Sequence, residues 1–168
     1  MTTTDTLAAV ELVVHGRPAP QGSKKGFATK SGRVAMVEMS KHVKPWRSDV
    51  RDAAIAYLSR TDRTRFPLAG PLSVDMVFSI ARAKGHYGTG RNAGVLKASA
   101  PRFPASMPDL SKLLRSTEDA LTSAGLWADD ALVVDYGRLA KVYVASPDPD
   151  ALPSPGAVIR VRALEVTR

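Results

Sequence analysis

The chain has 168 residues, which predicts a single domain with room for a sizeable core. Its 24 Lys and Arg outweigh 16 Asp and Glu, and the net charge of +8 favours a polyanionic partner, nucleic acid above all. Cysteine is absent, which excludes disulfides, a thiolate nucleophile and Cys-bound zinc, and no long apolar run or basic amphipathic helix supports a membrane partner.

Residues 1–9 read as a polar tail and residues 10–168 as one domain. The opening Met1-Thr-Thr-Thr-Asp5 lacks the basic-then-apolar pattern of a signal peptide, so a cytoplasmic location is the default expectation. Val10 to His15 predicts a first strand, and the prolines and glycines of Gly16 to Lys25 a loop. Phe27–Thr29 and Val34–Val37 predict a hairpin turning at Lys30-Ser-Gly-Arg33. Trp46, Val50, Ala53, Ala54, Tyr57 and Leu58 recur at helical spacing after Pro45, a first-turn residue. Leu72, Val74, Met76, Phe78 and Ile80 alternate as a strand does. Ala81 to Ser106 has no period, and a loop of that length is functional or disordered. A second helix is predicted from about Pro108 to Ser123, with Leu110, Leu113, Leu114, Thr117 and Leu121 as its apolar stripe and Gly125 as its stop. Strands at about Leu132–Val144 and Val158–Val166 flank the turn Ser146 to Pro155. This order predicts an α+β fold, a mixed or antiparallel sheet carrying two main helices.

The second helix is bracketed by carboxylates: Asp109 at its start, Asp129 and Asp130 just beyond its end. The preceding stretch Ala81 to Met107 holds Arg82, Lys84, Arg91, Lys97 and Arg102 and no carboxylate. Taken singly, Asp109 fits a capping box with Ser106, and Asp129-Asp130 fits a solvated turn. Taken together they suggest more. If the helix folds back on the sheet, the strand after Asp130 returns past the helix start and brings Asp130 towards Asp109. Clustered carboxylates repel unless a cation bridges them, and hard oxygen ligands suit Mg²⁺. Such a cluster in a basic surface is what metal-dependent phosphodiester cleavage requires. One polar face of the helix carries Ser111, Arg115, Glu118 and Thr122. Arg115 and Glu118 form either a surface ion pair or, with Arg115 on a phosphate, part of a site.

A second basic stretch comprises Arg17, Lys24, Lys25, Lys30, Arg33, Lys41 and Lys44. Each of these alone reads as a solvated charge, but two basic stretches around one carboxylate site suit the DNA backbone. Lys24, Lys25, Arg82, Lys84, Arg91 and Lys112 are the DNA-contact candidates. No aromatic-rich platform is present, so duplex fits better than single strands. His15, His42 and His86 show no ligand spacing, and Trp46 and Trp127 read as core or dimer-interface residues.

Asp109-Leu-Ser-Lys-Leu-Leu-Arg115, then Asp119-Ala-Leu121, then Gly125-Leu-Trp-Ala-Asp-Asp130, resembles the signature of the RusA family of Holliday junction resolvases. That signature reads Asp-Leu-Asp-Asn-Leu-x-Lys, then Asp-Ala-Leu, a short Gly-containing turn, and Asp-Asp. The resemblance extends from about His15 to Val144. It implies a RusA-like fold and a two-fold homodimer that cuts four-way, branched double-stranded DNA with Mg²⁺, Mn²⁺ being a substitute. It places metal-site residues at Asp109 and Asp130, with Asp129 matching the other member of the pair. Three positions depart: Ser111 replaces a family Asp, Lys112 an Asn, and Arg115 the catalytic Lys. Arg115 stays protonated, so it stabilises charge and donates no proton. Glu118 is the candidate for a remodelled site, although it lies about 10 Å along the helix from Ser111. These departures motivate an alternative, a weakly active or non-catalytic nucleic-acid-binding descendant of such nucleases. A ribosome-associated basic protein would explain the charge but leave the carboxylates idle.

Overall fold

A computed structural model describes residues 9–22, 24–28, 34–38 and 41–165, the segments 24–28 and 34–38 by backbone alone. Its strands and helices are β1 (Val10–His15), β2 (Lys24–Ala28), β3 (Val34–Glu38), α1 (Val43–Leu58), β4 (Leu72–Ile80), α2 (Leu110–Ala124), β5 (Val133–Tyr143) and β6 (Gly156–Ala163). One four-stranded sheet runs in the order β1-β6-β4-β5, and β2 and β3 form a separate antiparallel hairpin. The large sheet is mixed, because β4 and β5 are parallel while the other neighbours are antiparallel. Parallel neighbours need a crossover connection. Here the crossover is the segment 81–109 followed by α2.

Both helices cover one sheet face. Alternation puts Leu72, Val74, Met76 and Phe78 of β4 on that face, beneath Trp46, Val50, Ala54 and Leu58 of α1 and Leu113 and Leu121 of α2. All of these are essentially without solvent exposure. Trp46 ties the layers together: its indole packs 6.4 Å from the Phe78 ring and donates to Thr117 Oγ1 of α2 at 3.1 Å. Trp46 and Trp127 are therefore core residues, at 0% and 1% exposure. No helix among the described residues is long and apolar enough to cross a membrane.

The opposite sheet face is ionic. Register aligns Glu11, Arg160, Asp75 and Arg138 in one row across the four strands. Arg160 Nε donates to Glu11 at 2.7 Å, and Arg162 grips Asp75 through Nη1 at 2.8 Å and Nη2 at 3.0 Å. Asp150, from the turn before β6, accepts from Arg138 at 2.8 Å and from Arg160 at 2.7 Å. Gly137 makes room for this row: a Cβ there would lie 2.5 Å from Asp75 Oδ1. Hydrogen bonds from Arg162 hold the Asp75 carboxyl below its ordinary range, against the opposing pull of burial. Its folded pKa is thus lower than its unfolded one, so its stabilisation is present above about pH 4 and lost as pH falls through the folded value. Asp75→Ala should cost about 2–3 kcal/mol at pH 7, because it strands Arg162 and the Arg138 amide. Urea unfolding at pH 7 and at pH 3 checks this: the gap between variant and parent should narrow at the lower pH.

Several expectations need amending. The second helix begins at Leu110, because Asp109 keeps an extended backbone (φ −66°, ψ 134°) as the capping residue. The Ser106–Asp109 capping box does not form, since Asp109 itself occupies the cap position and its side chain makes no capping bond. The hairpin strands start at Lys24 and end at Glu38, and the last strand starts at Gly156. Segment 81–106 is ordered without a period. Two 3-10 turns, Lys84–His86 and Gly90–Asn92, and bridges pairing Tyr87 with Leu96 and Gly88 with Ala93 give it shape. The predicted 1–9 tail lies outside the described residues apart from Ala9.

Candidate active site

Helix α2 organises the candidate residues. Gly125 closes it with φ 79°, while the amides of Gly125 and Leu126 bond the carbonyls of Thr122 at 3.0 Å and Leu121 at 3.1 Å. That closure turns the chain so that Trp127 and Asp130 pack back on the last helical turn. Asp130 Oδ1 accepts from Thr122 Oγ1 and, at 3.0 Å, from Trp127 Nε1. Strand β5 then runs back along α2. Tyr136 donates its hydroxyl to Glu118 in the middle of the helix, and Lys141 reaches the helix start, where its Nζ donates to the carbonyls of Ser106 at 2.7 Å and Pro108 at 2.8 Å.

This path overturns the expected meeting of Asp109 with Asp130. The strand does return past the helix start, but Asp130 precedes it and stays at the far end. Asp130 is bonded to Thr122, 13 residues beyond Asp109, a separation of about 20 Å along the axis at 1.5 Å per residue. At the helix start the β5 partner is a lysine. Asp109 itself is half exposed and pairs with Lys112 at 3.1 Å. Asp129 has the bland role of a turn residue, accepting from the Ala131 amide at 2.7 Å.

Asp130 instead keeps company with Glu118. Burial, above all, raises the Glu118 pKa, and the charges of Asp130 and Asp119 add to this, while the Tyr136 hydroxyl and Arg115 oppose it. The Tyr136 hydroxyl is in turn pushed well up by burial and by the Glu118 carboxylate. Arg115 is exposed on the same helix face, and Ser111 is exposed one turn nearer the start. Tyr136 and Lys141 are site neighbours that the sequence reading missed.

The profile of the family described as endodeoxyribonuclease RusA matches residues 15–148, most of the chain, and this span contains every residue placed so far on α2 and β5. The chain belongs to the RusA endodeoxyribonuclease family. No curated protein matches it.

The RusA family implies a divalent cation, and the oxygen donors of Asp109, Glu118 and Asp130 are of the hard kind that Mg²⁺ takes. A single chain nevertheless does not fit a complete site. Among the described residues no three Asp, Glu or His side chains gather at one point. Asp109 is engaged with Lys112, and one oxygen of Asp130 already accepts two bonds.

The basic residues of this RusA-family chain fall into two kinds. Arg82 braces the crossover segment, donating to the Pro101 carbonyl at 2.8 Å and stacking 4.0 Å from the Tyr143 ring centroid. Lys97 does the same through the Gly85 carbonyl at 2.9 Å. Lys84 and Arg91, by contrast, are exposed and form no ion pair among the described residues. Lys24 and Lys25 stand on β2, backbone-paired with Glu38 and Val37; Lys30 and Arg33 lie outside the described residues. The sequence reading also overlooked Arg47 and Arg51. With Lys44 they line a crevice between α1 and α2, and Arg47 lies 3.8 Å from Asp119. Their spacing of three, four and seven residues on one helix was the available signal. His86 is half-buried, edge-on to the Tyr143 ring at 5.6 Å, and so packs against β5.

Proposed function

We propose that this RusA-family protein is an Mg²⁺-dependent, structure-selective endonuclease, acting as a two-fold homodimer that cuts paired strands of four-way DNA junctions in recombination and repair. One observation carries the reading: Asp109, at the first acidic position of the family motif, is half exposed and has no capping duty. An acidic side chain held only by a half-exposed lysine, in a chain of net charge +8, suits work on a phosphate backbone.

The roles follow from position. Asp109 and Asp130 are the metal ligands and Asp129 contributes less, being occupied by the Ala131 amide. Arg115 balances charge on the scissile phosphate, and Glu118 stands beside Asp130 in place of the carboxylate missing at Ser111. Lys84, Arg91 and Lys112 meet the backbone, with Lys24 and Lys25 on the hairpin. When bound, the cation offsets charge on the phosphate and favours attack by water. The dimer supplies what one chain lacks: two α2 helices set antiparallel across a two-fold axis put Asp109 of one chain beside Asp130 of the other. Mn²⁺ replaces Mg²⁺ because both take oxygen ligands.

The Asp109–Lys112 pair at 3.1 Å favours a second reading, a relative that binds branched DNA without cutting it. A labelled synthetic junction separates the two. Paired nicks with Mg²⁺, none with chelator and none on linear duplex are the expected result. A retarded complex with no nicks at any Mg²⁺ or Mn²⁺ concentration supports the second reading, and neither binding nor nicks removes both.

A further inference from the structure

We propose that the cavity beside the start of α2 seats one unstacked nucleotide of the branched DNA, gripping its base chiefly by shape and its phosphate through Arg17; this rests on the nuclease reading above. The cavity, about 590 Å³, forms where the loop after β1, the end of β4 and the lead-in to α2 meet. It lies within the size range of small-ligand pockets, roughly 300–1,000 Å³. Pro18, Pro20, Met107 and Pro108 give it apolar walls, and Arg17 and His42 are its polar side chains, 3.3 Å apart.

The chemistry of that lining selects the occupant. Burial, with Arg17 and Lys41 nearby, lowers the His42 pKa and so disfavours its charged form, which leaves the guanidinium as the main charge facing a ligand. An apolar chamber with one cation at its rim fits a flat ring bearing an anion, which is a nucleotide. Away from Arg17 and His42 the walls offer the ring's edge few polar groups. Prolines have no N–H. The carbonyls of Ala19, Ile80, Pro108 and Pro155 already accept from Ser116, Val144, Lys141 and Gly16. Shape therefore outweighs hydrogen bonding in holding the base. Pro108, on the wall, is adjacent in sequence to Asp109, so a seated nucleotide brings its neighbouring phosphate to the proposed metal ligand. A branch point supplies such a nucleotide cheaply, because stacking is already interrupted there.

The test walks a single abasic residue through the branch point of a synthetic junction. One position should weaken binding to the parent protein about tenfold, as loss of a stacked base does, whichever base it replaces. Ala81→Trp fills the cavity from an exposed wall position, leaving the core untouched. It should bind the intact junction about tenfold more weakly and be indifferent to the abasic residue. Arg17→Ala should lose affinity for intact and abasic junctions equally. Uniform affinity of the parent for every abasic junction overturns the proposal, as does parent-like binding by a folded Ala81→Trp. Loss of a DNA-free dimer in Ala81→Trp would also overturn it, by making a second copy the occupant. If the parent binds no junction, the nuclease reading fails and a separate measurement decides the cavity. Deoxynucleoside monophosphates should shift the Met107 methyl and His42 ring NMR signals in the parent but not in Ala81→Trp. Shifts matched by inorganic phosphate alone, or absent, reject it.

Discussion

Asp109→Asn and Asp130→Asn should each cut junction cleavage by at least about a hundredfold, if the proposed roles hold, while junction binding holds or tightens. Loss of a group that merely supports a metal ligand already costs about 10–100-fold, so loss of a ligand costs no less. Binding should move the other way, because each substitution removes a negative charge from the proposed DNA surface. The two positions differ in a second readout. Thr122 and Trp127 both donate to the same oxygen of Asp130, so a side-chain amide keeps the acceptor but loses the charge that strengthens both bonds. A small loss of thermal stability should therefore accompany the loss of cleavage in Asp130→Asn. Asp109 has no such bonds, and its variant should melt with the parent. Asp129→Asn should be mild in both readouts. Cleavage within threefold of the parent in Asp109→Asn would sink the assignment of that residue.

Mixing the two inactive variants should restore cutting. If each site draws Asp109 from one chain and Asp130 from the other, a mixed dimer carries one site with both replacements and one with neither. An equal mixture, reassembled from unfolded chains, should recover about a quarter of the parent's sites, half of the dimers being mixed and each holding one live site. The product should also change, to single nicks in place of paired ones. If each site lies within one chain, every site in a mixed dimer carries one replacement and the mixture stays inactive. That outcome would leave the separation of about 20 Å along α2 to be closed by rearrangement within the chain, and would end the shared-site reading.

What the sequence could and could not foretell follows from which forces have a local signature. Strands β1 and β4 have the bounds expected from alternation, because each buries one face and exposes or pairs the other. The extent of α2 was legible from its apolar period and from Gly125. The site was not, because it depends on where β5 lies against α2. Tyr136 and Lys141 are five residues apart, so strict alternation puts them on opposite faces. A register shift at Gly137 places both on the helix side, opposite Val74 and Phe78. Only the pairing reveals that shift. The crossover segment was equally opaque, since it is held by turns and by side chains bonded to carbonyls, which leave no period. The family motif located Asp109 and Asp130 along the chain but not the β5 residues that lie along α2 between them.

The ionic row on the back of the sheet has a consequence beyond stability. There Glu11, Asp75, Asp148 and Asp150 meet Arg138, Arg160 and Arg162, so that side of the molecule is neutral to slightly negative. The surplus of positive charge must then reside elsewhere: segment 81–107 holds five Arg and Lys and no carboxylate, whereas α2 and its ends hold Asp109, Glu118, Asp119, Asp129 and Asp130 against Lys112 and Arg115. A molecule so divided is an electric dipole. In the field of a DNA backbone it is turned during diffusion, so that collisions are biased away from the ionic face before any contact forms. The paired arginines of the back face thus do more by cancelling than they would by adding to the charge, since an evenly positive protein would meet DNA in every orientation.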